Sequence, residues 1–158
     1  MLIPPTLHVT PLQRPKQRSL VWTFVVKIAD RIAFDSRWIS VKMHDEASAR
    51  WLDDIVLSLT EAGVKLPRVP VAKWSGNLDD DCWLKEGEFY AHAEHMYGPR
   101  GKGGFWYCQT GRGAFPDSMT YFHTAKRGIT LRSGVAARWL CETVIAAART
   151  GVLEPYAD

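Results

Sequence analysis

Ala49-Arg50-Trp51-Leu52 returns 88 residues later as Ala137-Arg138-Trp139-Leu140, and the echo carries on beyond it. Val56 answers to Val144, Gly63-Val64 to Gly151-Val152 and Pro67 to Pro155, all at the same spacing. Apolar residues recur at helical intervals in both copies. They are Trp51, Leu52, Ile55, Val56, Leu59 and Ala62 in the first, and Val135, Ala136, Trp139, Leu140, Val144 and Ala147 in the second. Asp45 and Ser133 stand where an N-cap belongs, and Gly63 and Gly151 supply the left-handed residue that stops a helix. The spacing therefore predicts two helices of one kind, each closing a duplicated unit, with Trp51 and Trp139 buried between them.

A second echo lies upstream of each helix. Pro15-Lys16-Gln17-Arg18 followed by Val21-Trp22 resembles Pro99-Arg100-Gly101-Lys102 followed by Phe105-Trp106, and Ala33-Phe34-Asp35-Ser36 resembles Ala114-Phe115-Pro116-Asp117-Ser118. Strand patterns fill the space between them. In the first unit, Thr6–Pro11, Ser19–Ile28, Arg31–Phe34 and Arg37–Met43 are predicted strands. In the second unit they are Glu88–Met96, Phe105–Thr110, Met119–Thr124 and Gly128–Arg132. Residues 66–81 contain Pro67, Pro70, Ser75-Gly76 and a run of three aspartates, Asp79-Asp80-Asp81, which marks a connection. Trp74 and Trp83 should hold it against the body. The expected fold class is α+β: a first repeat over 6–67, a linker packed on the body over 68–87, and a second repeat over 88–155. Each repeat is a ββββα-like unit with an antiparallel sheet, and the two helices are paired.

A chain of 158 residues can bury a full core, and none of its apolar runs approaches a membrane span. Pro4, Pro5 and Pro11 stand where a signal peptide would need an apolar helix. Cys82, Cys108 and Cys141 make neither a CxxC pair nor an even framework, which favours reduced thiols and a cytoplasmic protein. The net charge is only +3, but it is unevenly spread. Between Gly98 and Arg132 there are six Lys or Arg and one acid, Asp117, whereas Asp45, Glu46, Asp53, Asp54 and Glu61 crowd the first helix. Such a basic stretch suits a polyanionic partner.

The chemistry most compatible with that stretch is single-strand binding, which needs cations along the phosphates and flat rings under the bases. Arg100 and Lys102 fall in one predicted turn, and Lys126 and Arg127 in another at the same end of an antiparallel sheet. Trp106 and Tyr121 lie on the strands these turns flank. Phe105 and Tyr107 share one face of their strand and Trp106 takes the other. Core packing is the competing explanation for all these rings. His92, Glu94 and His95, with His123 and Cys108, raise the question of a metal. The two histidines, three apart in a strand, point to opposite faces and no second ligand pair has zinc-finger spacing, so no metal is expected. No cofactor is expected, and no spacing of Ser, His, Asp or Cys marks a catalytic nucleophile.

The run Ala125-Lys126-Arg127-Gly128-Ile129-Thr130-Leu131, a spacer and then a helix bearing Trp139-Leu140 resembles the end of the transcriptional positive coactivator domain. That family shares its strand-strand-strand-strand-helix plan with the Pur-alpha repeats and the Whirly proteins. Pur-alpha repeats are closest in organisation, because two tandem copies pair within one chain. The resemblance is clearest over 89–148. It implies single-stranded DNA or RNA as partner, bound on a curved sheet, with Arg100, Lys102, Trp106, Lys126 and Arg127 in the second unit and Lys16, Arg18 and Trp22 as first-unit equivalents. It also implies no enzymatic activity, no membrane, and either a monomer with an internal pseudo-dimer or a homodimer. The rival expectation is a protein-binding module, such as a small phage-type inhibitor that docks on another protein or nucleoprotein complex.

Overall fold

The structure, a computed structural model, describes residues 7–13, 21–99, 104–114 and 117–156, with backbone alone over 7–13. It is α+β, with antiparallel sheets and two helices. Strands β1 (Leu7–Gln13), β2 (Thr23–Ile28) and β3 (Arg31–Asp35) form one sheet in that order. A 3-10 turn, Ser36–Trp38, leads to the short strand β4 (Val41–Met43) and helix α1 (Glu46–Glu61). The second sheet runs β5 (Ser75–Asn77), β6 (Asp81–Glu86), β7 (Phe89–Tyr97), β8 (Gly104–Arg112) and β9 (Met119–His123). Another 3-10 turn, Thr124–Lys126, leads to β10 (Ile129–Leu131) and helix α2 (Gly134–Arg149). None of the described helices is long and apolar enough to cross a membrane.

Both helix starts are as the caps predict. An Asp45 side-chain oxygen accepts from the Ser48 amide at 2.7 Å, and Ser133 Oγ from the Ala136 amide at 3.1 Å. Both stops use left-handed glycines, Gly63 at φ 79° and Gly151 at φ 78°. Each would have open space around an added Cβ, so the backbone conformation alone selects glycine there. Gly128 is chosen for a different reason. It lies so close to the Asp45 carboxylate that a side chain would collide with it, and its amide donates to Ser48 Oγ at 2.8 Å.

From β3 to α1, every element has a counterpart 88 residues on: 31–35 with 119–123, 36–38 with 124–126, 41–43 with 129–131, and 46–61 with 134–149. The register agrees too. Phe34 pairs with Val26 and Ile32 with Lys27 across an irregularity, and Phe122 pairs with Thr110 and Thr120 with Gly111 across another. In the two-stranded ribbon, β4 lies antiparallel to β10, with Lys42 opposite Thr130, itself 88 residues away. One of the sequence echoes is not structural. Ala33–Ser36 ends β3, whereas Ala114, Asp117 and Ser118 lie in the connection between β8 and β9, so Phe34 corresponds to Phe122 rather than to Phe115.

The segment 68–87 lies on the body, but its second part is sheet rather than linker. Ser75–Asn77 and Asp81–Glu86 add two strands to the edge beside β7. The alternation of buried Cys82 and Leu84 with exposed Trp83 and Lys85 was the available sign. Ahead of them, the Glu142 carboxylate on α2 accepts from the amides of Val71 and Ala72 at 2.8 and 2.9 Å and from Trp74 Nε1 at 2.9 Å. The predicted strand Arg37–Met43 opens instead as a 3-10 turn, because the buried Asp35 carboxylate accepts from the Arg37 amide at 2.9 Å and caps it. In the predicted strand Thr6–Pro11, pairing persists past Pro11 through a register shift between Thr10 and Gln13, which spares the missing amide.

The core sits between the sheets and the helices. Helix α2 lies on β7 and β8, α1 on β1 and β2, and the helices meet through Ile55, Leu59 and Ala147. Trp139 is buried, stacked on Phe34 at 5.7 Å, with Nε1 donating to the Pro67 carbonyl at 2.7 Å. Trp51 stacks on Phe122 at 5.1 Å, but it is only half-buried and its Nε1 has no hydrogen-bond partner. The two tryptophans are therefore not equally enclosed. Trp139→Ala is expected to cost about 3–5 kcal/mol and Trp51→Ala less, which urea denaturation of the two variants measures.

Asp53 is an acid inside α1, 6 % exposed, with one carboxylate oxygen that lacks a hydrogen-bond partner. Burial above all, with the neighbouring Asp54 charge, pushes its pKa up to about 6, partly offset by Arg50. A pKa raised in the folded state means the fold prefers the protonated acid. Its contribution is therefore fully present below about pH 4 and is lost as pH rises through about 6. Asp53→Asn should raise stability at pH 7.5 by on the order of 1–3 kcal/mol, with little gain at pH 4, as read from urea midpoints at the two pH values.

Candidate nucleic-acid interface

Strand β8 separates its rings by alternation. Phe105 is 52 % exposed and Tyr107 half-buried on one side, while Trp106, Cys108 and Thr110 are buried on the other. The buried side is the one α2 covers. Trp106, 4 % exposed, stacks on His95 at 5.3 Å and lies against Gly134 at the start of α2. Tyr121 is 3 % exposed and sits 6.1 Å from Phe89 in the core. Neither ring offers a face to a base, which corrects the expectation that these two form the stacking surface. Trp22 is half-buried, and its amide donates to the Met43 carbonyl at 2.8 Å, so its backbone ties β2 to the ribbon.

The open surface is next to them. A cleft of about 600 Å³ runs between β8 and β10, lined among others by Phe105, Tyr107, Thr124, Ile129 and Arg132. Gly98, Pro99 and Gly104, which flank residues 100–103, line it as well. Arg100 and Lys102 themselves lie outside the described residues, as do Lys16 and Arg18. Thr130, also in the cleft, faces outward from the ribbon with Lys42 directly opposite. Its Oγ1 is 2.7 Å from His44 Nε2. Lys42, His44 and Arg132 are exposed, at alternate positions of the two paired strands, which puts all three on one face of the ribbon.

The cations after β9 go different ways. Lys126 is exposed in its 3-10 turn. Arg127 is drawn inward, its guanidinium 4.7 Å from the Trp51 ring centre and its Nε buried without a hydrogen-bond partner. It packs as a cation on the stack of Trp51 and Phe122, so it is less free than Lys126 to meet a phosphate.

Beyond the cleft, the face of the five-stranded sheet opposite α2 carries polar groups beside the exposed Trp83 and Met96. Tyr107 Oη lies 2.5 Å from His123 Nε2 and 3.3 Å from Gln109 Oε1, and burial raises its pKa. His123 Nδ1 accepts from the Ala125 amide at 3.1 Å, capping the 3-10 turn as Asp35 caps its counterpart. Further across, Asp81 lies opposite Glu94, which lies opposite Tyr107, and His92 stands two residues before Glu94. In the sequence, Glu94 stands with His92 and His95 as a possible ligand, but only the pairing of β6 with β7 brings Asp81 to it, while His95, three residues on from His92, faces the other way. Sequence reasoning noted Phe105 and Tyr107 together but preferred Trp106, because alternation gives the two faces of a strand without saying which one a helix covers. Arg132 carried no motif, and only pairing with β4 shows its place.

Compared with protein-family models, with curated proteins and with solved structures, the chain matches none of them. Stability separates the two sides of β8. Phe105→Ala should leave the melting temperature within a few degrees of the parent, and Trp106→Ala should lower it strongly, by the roughly 3–5 kcal/mol of a buried aromatic.

Proposed function

We propose that this chain is a non-enzymatic single-stranded nucleic-acid-binding protein, and that DNA or RNA lies in the cleft between β8 and β10. The observation that carries this reading is the exposed Phe105 ring beside Tyr107, at a cleft that Arg132 lines and that the residues flanking Arg100 and Lys102 also line. The ring supplies a stacking platform and the cations a track for phosphates. Lys42 and Lys126 extend that track along the ribbon and the 3-10 turn. The platform is thus Phe105 with Tyr107, in place of Trp106 and Tyr121.

The tandem organisation is part of the same proposal. Two ββββα-like units would arise by duplication and pair within one chain, as the resemblance to the Pur-alpha repeats implies. Support comes from the shared spacing of 88 residues from β3 to α1, the matching register shifts, and a ribbon that pairs Lys42 with its counterpart Thr130. A cytoplasmic location fits the three buried free thiols, Cys82, Cys108 and Cys141.

Fluorescence anisotropy with labelled single strands across a salt series tests the binding. Phe105→Ala is expected to weaken affinity by about 1–3 kcal/mol with the salt slope unchanged. Lys126→Ala and Arg132→Ala should each flatten that slope by about 0.7 while weakening all sequences alike. Failure of the parent protein to bind any single strand at low salt would overturn the reading. It would leave the exposed Phe105, Trp83 and Met96 as the surface of a protein-binding module.

A further inference from the structure

Asp81, His92 and Glu94 come together for a geometric reason. Residues two apart on a strand share a face, which sets His92 beside Glu94 on β7. Antiparallel pairing then puts Asp81 of β6 directly across from Glu94. One ligating atom from each of the three lies within 4.8 Å of the others, and Asp81 Oδ1 is 2.5 Å from His92 Nε2. Two carboxylates this close repel one another unless a cation stands between them. Among the described residues, neither carboxylate makes an ion pair with lysine or arginine, and Asp81 has the His92 imidazole as its hydrogen-bond partner.

We propose that these three side chains bind a divalent transition-metal ion of the zinc class on the outer face of the five-stranded sheet. One imidazole nitrogen and two carboxylate oxygens form a donor set suited to such an ion, and both strands sit inside the sheet, which fixes the spacing of the ligands. All three side chains are partly exposed, so the ion would keep open positions toward solvent for water or an anionic ligand. Binding displaces the hydrogen bond between Asp81 and His92 and competes with a proton on the imidazole, so affinity falls as the solution is acidified. The buried thiols of Cys82, Cys108 and Cys141 are shielded from an ion arriving from solvent. The proposal stands independently of single-strand binding.

Isothermal titration of the full chain with zinc chloride at pH 7.5 tests it, with cobalt chloride as an optical probe of ligand geometry. The parent should take up one ion. Asp81→Asn and Glu94→Gln should each weaken binding at least about tenfold, and His92→Ala should abolish it. His44→Ala, which alters an exposed histidine on the ribbon, should bind as the parent does. Glu94→Gln removes a charge at constant shape, and its urea midpoint without metal should be no lower than the parent's, which separates lost binding from lost folding. No heat of binding with millimolar zinc, equal affinity in Glu94→Gln, or equal loss in His44→Ala would each overturn the proposal.

Discussion

Two reciprocal ring stacks hold the halves of this molecule together. Trp51 of α1 lies on Phe122 of β9, with planes 20° apart, and Trp139 of α2 lies on Phe34 of β3, with planes 15° apart. Each helix therefore sets its tryptophan against a phenylalanine of a strand on the other side of the chain, α1 on β9 and α2 on β3. Burying a ring as fully as that of Trp139 contributes roughly 4–6 kcal/mol by the area it removes from water, and the half-buried Trp51 less. An exposed helical ion pair such as Arg50–Glu46 contributes about 0.3–0.5 kcal/mol. The stacks thus outweigh the surface ion pairs by an order of magnitude.

The stacks are alike in geometry and unlike in their surroundings. Around Phe34, the rings of Phe24, Trp38 and Trp139 form a closed cluster, with the Arg68 guanidinium 3.6 Å over Trp38. Around Phe122, Trp51 remains half-open and Arg127 covers it. The second half spends less enclosure on its stack and has more sheet. Strands β5 and β6 widen it, and six residues, 113–118, join β8 to β9 where two, 29–30, join β2 to β3. Strands β5 and β6 broaden the outer face, and the cleft beside Phe105 opens at its other side between β8 and β10, so exposed aromatic and polar groups gather on this sheet.

Much of this frame was legible in the residues. The helical spacing around Trp51 and Trp139, the caps Asp45 and Ser133, and the stops Gly63 and Gly151 are local signals, and local signals survive folding. Strand existence was legible for the same reason in most of the chain, but not at β5 and β6, which read as linker. What the sequence could not express was long-range pairing. Nothing local says that Lys42 faces Thr130, that Asp81 faces Glu94, or that α2 covers the Trp106 side of β8 rather than the Phe105 side. The candidate site depends on those three facts, so its residue types were foreseen better than their membership. Arg127 shows the same limit: its charge was visible, and the aromatic stack that draws it inward was not.

The two proposed sites share a row of the sheet, and this gives their charges a joint meaning. Asp81, Glu94 and Tyr107 are successive cross-strand neighbours, so the carboxylates stand about one and two strand spacings, roughly 5 and 10 Å, from the ring that lines the cleft. Both distances are within or near the Debye length of about 10 Å at 0.1 M salt. If both proposals hold, an empty acidic pair there would oppose a polyanion in the cleft, whereas a bound divalent ion would cancel that repulsion and offer open positions to phosphate oxygens. Linkage then requires reciprocity: if the ion strengthens strand binding by some factor, the strand strengthens ion binding by the same factor. A basic ribbon beside an acidic pair is thus an arrangement in which strand affinity would follow metal occupancy, with Tyr107 as the residue common to both.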